Sequence, residues 1–284
     1  MGRGRRGGAN DVDAVAGQDA RRALPDGLGT AIRETAEEIA ALLRADADME
    51  RRIPGAEWNV GEAAAHLGLA NELMAHIAAG RPRPYGDGTP QSLAGANERS
   101  LAEFGERRAE PLAEMIVEHA DACARALEEG TPEGSVDTPL GTMSPPELGA
   151  YLLTHMLGHG YDLARALGRP HMLDRARVGL TLPFLLRVMP RVAEPRNTAG
   201  MNARYAVRLW GGGAFGVTLA DGAVTVDERP PAGPDCTISI EPVTFLLMAL
   251  GRQGQAGPIL RGRILVRGRK PWLAPRFPGL FTAP

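Results

Sequence analysis

The chain of 284 residues is 44% hydrophobic and 5% aromatic and contains 36 glycines, a composition typical of globular proteins and not of disordered or fibrous ones. Its 32 basic and 34 acidic residues leave a net charge of −2, which provides no overall field to recruit nucleic acid or an anionic membrane. The length suits two domains, because one domain usually comprises about 100 to 150 residues. No segment reaches the roughly 18 uninterrupted apolar residues of a membrane span. We therefore expect two globular domains with no nucleic-acid or membrane partner.

The N-terminal segment 1–24 is rich in glycine and arginine and lacks the apolar core of a signal peptide, so it is predicted to be a disordered tail. The two cysteines, Cys123 and Cys236, are far apart and lie in different predicted elements. We interpret both as buried thiols, because such sparse cysteine usage is typical of a reducing cytoplasm. A cytoplasmic protein is expected, either a monomer or a homodimer.

Residues 25–195 carry the periodicity of amphipathic helices, with apolar residues at i, i+3, i+4 and i+7. Four long segments show this pattern, at about 26–47, 59–80, 91–129 and 144–168. The second and fourth begin with capping-box patterns at Asn59 and Ser144, and the third contains Pro111 as a kink or break. Four such helices predict an up-and-down four-helix bundle, and a fifth helical stretch follows at about 175–193.

Beyond residue 200 the spacing of apolar residues along the sequence changes from the period of helices to that of strands. Short runs between glycines alternate apolar and polar residues, which is typical of antiparallel strands. The predicted elements are strands near 204–210, 213–220, 222–228, 237–240 and 263–266 and a helix at 242–250. The sequence therefore predicts a small α+β domain with an antiparallel sheet over 200–284, after a helical bundle over 25–195.

His155 and His159 lie four residues apart on the fourth predicted helix, so both imidazoles point from one face and can bind one ion. Such a pair often arises by chance, and taken alone it is as well explained by core packing. His66 offers a third nitrogen, since it lies among small and apolar residues in the middle of the second helix. Three protein ligands leave a position open for water or substrate, as in catalytic zinc sites, although nickel, copper and iron accept the same donors.

Further candidates lie near the histidines and in the C-terminal domain. Asp162, three residues after His159, either orients that imidazole or faces solvent. The densest basic cluster, 261–270, suits a solvated strand edge, where positive charge deters edge-to-edge pairing. Alternatively, Arg263 or Arg267 reaches across the domain interface and binds a substrate carboxylate, a task suited to a planar guanidinium.

Three stretches of the chain form a recognisable combination. A tryptophan, a short cap and a histidine-bearing helix cover 58–67, a histidine-glycine-x-aspartate-x-alanine pattern covers 159–168, and an Asp-Cys-Thr-Ile-Ser-Ile-Glu-Pro segment opens 235–268. In these stretches the sequence resembles the mycothiol-dependent maleylpyruvate isomerase family. The resemblance extends over most of residues 25–284.

This resemblance implies a DinB-like bundle that binds a divalent metal, a C-terminal domain similar to sterol-carrier folds, and mycothiol as thiol cosubstrate. In the isomerase the middle ligand is a glutamate, four residues before the last histidine. His155 takes that place here, which is closer to the three-histidine arrangement of other DinB-like thiol transferases. The implied function is a zinc-dependent enzyme in which the thiol attacks a small, carboxylate-bearing electrophile, as a cis-trans isomerase or a thiol S-transferase.

Two other functions stay open at this point. The apolar run 245–250 suits the wall of a cavity, so the protein could be a non-catalytic carrier of sterol-carrier type with the bundle as scaffold. A zinc hydrolase with a metal-bound water is the third hypothesis, and its general base would be Glu62 or Asp162. Metal content distinguishes the carrier from the enzymes, and thiol dependence distinguishes the two enzymes.

Overall fold

The computed structural model describes residues 24–87, 90–130 and 134–282, so the predicted tail lies outside the described residues except for its last position. The N-terminal half is built from long helices with a small hairpin between two of them. These elements are α1 (Leu28–Arg44), α2 (Val60–Ala78), α3 (Pro90–Glu103), α4 (Ala109–Glu129), β1 (Val136–Thr138), β2 (Gly141–Met143), α5 (Pro145–Leu167) and α6 (Arg175–Val188). Within the described ranges no helix is both long and apolar enough to cross a bilayer.

The bundle is formed by α1, α2, α4 and α5. Helix α4 packs against both α1 and α2, and α5 does the same, so α1 and α2 occupy diagonal corners. Their apolar faces supply fully buried residues such as Ile39, Leu67 and Ile116. Each Å² of apolar surface that is removed from water stabilises the fold by about 25 cal/mol, so this shared core is the main source of the bundle's stability.

Both predicted capping boxes are present. The Asn59 side chain accepts a hydrogen bond from the Glu62 amide at 2.8 Å, and the Glu62 carboxylate accepts one from the Asn59 amide at 2.8 Å. At the start of α5 the Glu147 carboxylate accepts a hydrogen bond from the Ser144 amide at 2.7 Å. Because these caps determine where α2 and α5 begin, they also determine the positions of side chains one to three turns further on.

The third predicted helix differs from the structure. The segment 91–129 forms two helices separated at 104–108, and Pro111 lies in the first turn of α4 instead of at the break. A proline is well placed there, because first-turn amides have no partner within the helix. The β1/β2 hairpin was not predicted, since each strand has only three residues and carries no readable alternation.

The C-terminal half contains a five-stranded sheet with short helices. After a 3-10 turn (Met189–Val192), its elements are α7 (Pro195–Thr198), β3 (Ala203–Leu209), β4 (Ala214–Ala220), β5 (Ala223–Asp227), β6 (Cys236–Ile240), α8 (Pro242–Ala249), α9 (Ala256–Leu260), β7 (Ile264–Arg267) and 3-10 turns at Pro271–Arg276 and Pro278–Leu280. The strand order is β5-β4-β3-β6-β7. The predicted fold class is confirmed, with one refinement: β6 runs parallel to β3, because the chain crosses from the β5 edge to the far side of β3, and the other pairs are antiparallel.

The two halves meet along α5, α6 and α8. Gly158 makes a close approach possible at this contact, since a Cβ atom there would lie 3.1 Å from Leu250 Cδ1. The predicted domain boundary between 195 and 200 stays a prediction.

Candidate metal centre

The three histidines singled out from the sequence lie together in the structure. His66 projects from α2, and His155 and His159 project from adjacent turns of α5. His66 Nε2 and His155 Nε2 are 3.0 Å apart, and one ring nitrogen from each histidine falls within 4.8 Å of the others. The caps of α2 and α5 therefore position three imidazoles around one point.

Aromatic side chains surround this cluster and limit its contact with water. Trp58, just before α2, lies with its ring centroid 4.8 Å from that of His66 and stacks on His159 at 6.0 Å. Tyr151, one turn before His155, has its ring centroid 6.5 Å from that imidazole and stacks on Phe184 at 4.5 Å. Only 6% of His66 is exposed to solvent.

Burial keeps all three imidazoles uncharged near neutral pH. It lowers the pKa of His66 to about 4, because a charged imidazolium loses its hydration in this environment. The pKa values of His155 and His159 are also lowered well below the usual 6.5, mainly by burial and further by neighbouring histidines and Arg252. An uncharged imidazole retains the lone pair that a metal ion requires.

One imidazole atom in this cluster lacks a hydrogen-bonding partner. His155 Nδ1 is buried and forms no hydrogen bond to any described residue. Buried polar atoms are nearly always paired, so three packed histidines with an unpaired nitrogen make a poor purely structural core. Tetrahedral zinc with bonds of about 2.0–2.1 Å places its nitrogen ligands about 3.3 Å apart. His66 Nε2 and His155 Nε2 are 3.0 Å apart, and His159 offers a nitrogen within 4.8 Å of both. The donor atoms, their neutral state and their separations fit one divalent ion.

Asp162 lies close to His159 but forms no hydrogen bond with that imidazole. Its carboxylate lies 3.9 Å from His159 Nδ1, which is beyond hydrogen-bonding distance. The same carboxylate accepts a hydrogen bond at 2.9 Å from Arg252 Nη2, an arginine of the C-terminal half. Both side chains are largely buried, with 14% of Asp162 and 21% of Arg252 exposed. Asp162 therefore links the histidine helix to the sheet half.

A cavity of about 960 Å³ separates the bundle from the sheet. His155 and His159 form part of one wall, together with Trp58 and Tyr151. The opposite walls are largely apolar and come from the C-terminal half: Val207, Ile238, Ile240, Phe245, Leu250 and Ile264. His155 and His159 thus face a largely apolar cavity.

The predicted arginines lie away from this cavity. Arg263 and Arg267 flank or end strand β7, where both are exposed and neither lines the cavity. Arg252 does line it, immediately after α8. Sequence reasoning missed Arg252 because nothing in its local pattern distinguishes it from the other arginines. Only the docking of the C-terminal half on the bundle, where α8 packs against α6, brings it to the site. The predicted catalytic roles of Arg263 and Arg267 stay predictions.

Fold and site together define a class of protein: a helical bundle with a buried three-histidine centre, joined through an apolar cavity to a small mixed sheet. Residues 30–164 match the family model described as mycothiol maleylpyruvate isomerase N-terminal domain, and residues 186–269 match the SCP-2 sterol transfer family. The bundle is thus similar to mycothiol maleylpyruvate isomerase N-terminal domains, and the sheet half is similar to SCP-2 domains. This agrees with the resemblance found in the sequence.

Several solved structures are similar to this chain at low identity. A mycothiol-dependent maleylpyruvate isomerase matches with 14% identity and a TM-score of 0.45 over 81% of this chain and 90% of that one. A histidine-to-alanine mutant of that isomerase matches with 14% identity and a TM-score of 0.48 over 82% and 91%. The sec-alkylsulfatase Pisa1 from Pseudomonas sp. matches with 15% identity and a TM-score of 0.33 over 49% of this chain, which spans about a quarter (24%) of that enzyme. No curated protein matches the sequence.

The lowered pKa of His66 predicts an acid-sensitive metal-free protein. In the unfolded chain His66 takes up a proton near pH 6.5, whereas in the folded protein it does so only near pH 4. The free energy of unfolding is therefore not reduced by this group above pH 6.5, and it declines as the pH falls towards 4. Between pH 7 and pH 5 we expect the free energy of unfolding to fall by about 2 kcal/mol from this group. Urea unfolding in the presence of a chelator measures it. The decline should be smaller in His66→Gln, and an equal decline in both proteins would refute this assignment.

Proposed function

We propose that the chain is a metal-dependent enzyme in which a low-molecular-weight thiol, mycothiol, attacks a small carboxylate-bearing electrophile. The reaction would be a cis-trans isomerisation or a thiol S-transfer. The observation that carries the proposal is the convergence of His66, His155 and His159 around one point, with His155 and His159 lining the cavity. The match of residues 30–164 to the mycothiol maleylpyruvate isomerase N-terminal domain model supports the choice of thiol.

His66, His155 and His159 would hold one divalent ion, and zinc suits three nitrogen donors with a remaining open position. Such an ion would supply positive charge that lowers the pKa of a thiol, so that the thiolate nucleophile is available at neutral pH. The chain's own part is to keep the ligands deprotonated, which burial achieves by lowering their pKa values. With three uncharged ligands, no protein anion offsets the positive charge of the ion.

Trp58 and Tyr151 have a second role in this proposal. Both rings line the cavity beside the histidines, so they exclude water from the position where thiol and electrophile would meet. Exclusion of water strengthens electrostatic interactions and protects a reactive thiolate. The volume of about 960 Å³ is large enough for both reactants at once.

Arg252 is the arginine that we propose for binding the substrate carboxylate, in place of Arg263 or Arg267. It lines the cavity, and its guanidinium is held by Asp162 through contacts of 2.9 Å from Nη2 and 3.3 Å from Nε. A guanidinium fixed by one carboxylate is oriented before substrate arrives, which reduces the entropy lost on binding. Asp162 is then a positioning residue.

One observation favours a second function. The cavity walls from the C-terminal half are largely apolar, and that half matches the SCP-2 sterol transfer family. A carrier that only binds an apolar ligand would need this cavity but no metal. Purified protein with co-purified lipid and a metal content near zero would favour this alternative.

The hydrolase alternative has less support. Glu62 is engaged in the helix cap of Asn59, and Asp162 is engaged by Arg252. Neither carboxylate is therefore free to act as a general base on water.

Metal analysis tests the centre directly. We expect one divalent ion for each chain in the wild-type protein, and His155→Ala should weaken binding by more than about 100-fold, because loss of a ligand exceeds the 10- to 100-fold effect of losing an outer partner. His76→Ala is the matched control, since His76 lies on the same helix as His66 but contacts Glu72 at 3.8 Å. Equal metal content in His155→Ala and wild type would contradict the proposal.

Thiol dependence tests the chemistry. Mycothiol should raise the melting temperature of the metal-loaded protein, and at 100 times its dissociation constant the added stability is about 2.7 kcal/mol. The matched control is the analogue with a hydroxyl in place of the thiol, which should shift the melting temperature much less. Turnover of a thiol-reactive carboxylate substrate should require added mycothiol. Turnover without any thiol would instead favour the hydrolase.

The role of Arg252 predicts a specific kinetic effect. Arg252→Gln should raise KM for a carboxylate substrate by about 10- to 100-fold, since a hydrogen bond to a charged group contributes about 1.5–3 kcal/mol. The methyl ester of the same substrate should show little change, because it lacks the charge. Arg263→Gln, at an exposed position outside the cavity, is the control. An equal effect on acid and ester would indicate a structural role only.

A further inference from the structure

The small net charge of the chain conceals a strong asymmetry along the sequence. After Glu241 there is no acidic residue, and the remaining positions to 284 carry seven basic ones. Since the whole chain has 32 basic and 34 acidic residues, residues 1–241 have a charge of −9 and residues 242–284 a charge of +7. Positive charge is therefore concentrated in the C-terminal segment of the sequence, although the total is close to zero.

Exposed apolar side chains concentrate in the same segment. Among the described residues the large hydrophobic side chains that are exposed are Ile259 (47%), Leu260 (87%), Leu265 (58%), Val266 (40%) and Trp272 (65%). All of them fall between positions 259 and 272. Scattered exposed hydrophobic residues are ordinary, but a group of them on neighbouring secondary-structure elements usually marks a binding surface.

These residues gather at the open edge of the sheet. Strand β7 is the edge strand, and both α9 and the 3-10 turn Pro271–Arg276 pack against it. We call this surface the β7 face: Ile259, Leu260, Arg261, Arg263, Leu265, Val266, Arg267, Arg269, Lys270 and Trp272. Its backbone is well fixed, since the Arg263 amide donates to the Pro258 carbonyl at 2.9 Å and the Lys270 amide to the Asp235 carbonyl at 2.8 Å.

Most of the positive charge on this face is not neutralised. Arg269 and Lys270 share a single carboxylate, that of Asp235, at 3.0 and 3.3 Å. Basic residues at a strand edge deter edge-to-edge pairing, which explains cations on β7. That explanation does not account for the exposure of Leu260 and Trp272, which lie outside the strand.

Part of the cavity lining reaches the β7 face. Ile259 and Val266 belong to the β7 face and also line the cavity, and the neighbouring Pro271 and Pro275 are both exposed and cavity-lining. An apolar molecule that entered or left the cavity between these residues would pass the exposed apolar residues of the β7 face.

We propose that the β7 face docks the protein on the surface of an anionic membrane. Leu260 and Trp272 would enter the boundary between headgroups and acyl chains, as apolar and tryptophan side chains of peripheral proteins do. Arg261 and its neighbours would contact anionic headgroups, whose charge complements the +7 segment. The cavity lining at Ile259 and Val266 would then lie next to the bilayer, which is a source of the apolar ligands that the cavity walls suit.

A nucleic acid fits these observations less well. Its phosphates would match the arginines, but four aliphatic side chains on the β7 face, Ile259, Leu260, Leu265 and Val266, would find no partner on a sugar-phosphate backbone. Membrane docking goes beyond the proposed enzymatic function and needs neither the metal nor the thiol, so each can fail without the other.

Vesicle sedimentation with the full chain tests the proposal. Binding to vesicles of phosphatidylcholine with phosphatidylglycerol should be at least about tenfold tighter than to pure phosphatidylcholine, and salt should weaken it. Arg261→Glu and the double variant Leu260→Ser with Trp272→Ser should each weaken binding by about tenfold or more. Arg51→Glu, an exposed arginine of the bundle half, is the matched control for charge reversal and should bind like wild type.

Several outcomes would overturn the proposal. One is the absence of any preference for anionic vesicles, and another is unchanged binding by both β7-face variants. Tighter binding to duplex DNA than to anionic vesicles at the same ionic strength would assign the face to nucleic acid. If wild type ignores vesicles but sediments as a dimer that the Leu260→Ser, Trp272→Ser variant dissociates, the face is an interface between two copies of this chain. Because these side chains are exposed, their substitution should leave the fold intact.

Discussion

Three imidazoles share one desolvated corner of the bundle, and this arrangement is tolerable only while all of them stay uncharged. A positive charge on any one of them would be poorly hydrated and would repel its neighbours, and the lowered pKa of His66 expresses that cost. The helices that carry the rings hold them in place through buried contacts such as those of Leu67 and Leu152. The packing of the bundle therefore keeps electron-donating nitrogens close together and deprotonated, which is the condition for binding a cation.

The sheet half completes this environment from the other side. Leu250 approaches α5 at Gly158, between the two histidines of that helix, where any larger residue would push it away. Two positions later Arg252 binds Asp162, one turn beyond His159. The same short segment thus supplies an apolar wall and a cation, and both depend on the docking of the sheet half against α5. A change in that docking would alter the polarity of the site without touching a histidine.

The sequence alone predicts the parts of this structure that depend on local pattern. The capping boxes at Asn59 and Ser144, the spacing of His155 and His159, and the strand alternation after residue 200 are all short-range features, and the structure contains them. Helix pairing is different, because the diagonal placement of α1 and α2 follows from which apolar faces fit together over long distances. The position of Arg252 and the parallel pairing of β3 with β6 depend on the same long-range packing. The total charge of −2 does not show the contrast between residues 1–241 and 242–284, because it is a sum over the whole chain.

The size and polarity of the cavity connect these features. At about 960 Å³ it lies at the upper end of the range of roughly 300–1,000 Å³ for sites that bind drug-sized molecules, so a small carboxylate electrophile would fill only part of it. The polar groups Arg252, His155 and His159 lie on or near the α5 side, whereas the volume towards β6 and β7 is bounded by apolar side chains. A ligand that used the whole space would need a polar, reactive end and an apolar remainder. Such amphipathic molecules partition into membranes, so the enzymatic function and the membrane docking that we propose are compatible in one molecule.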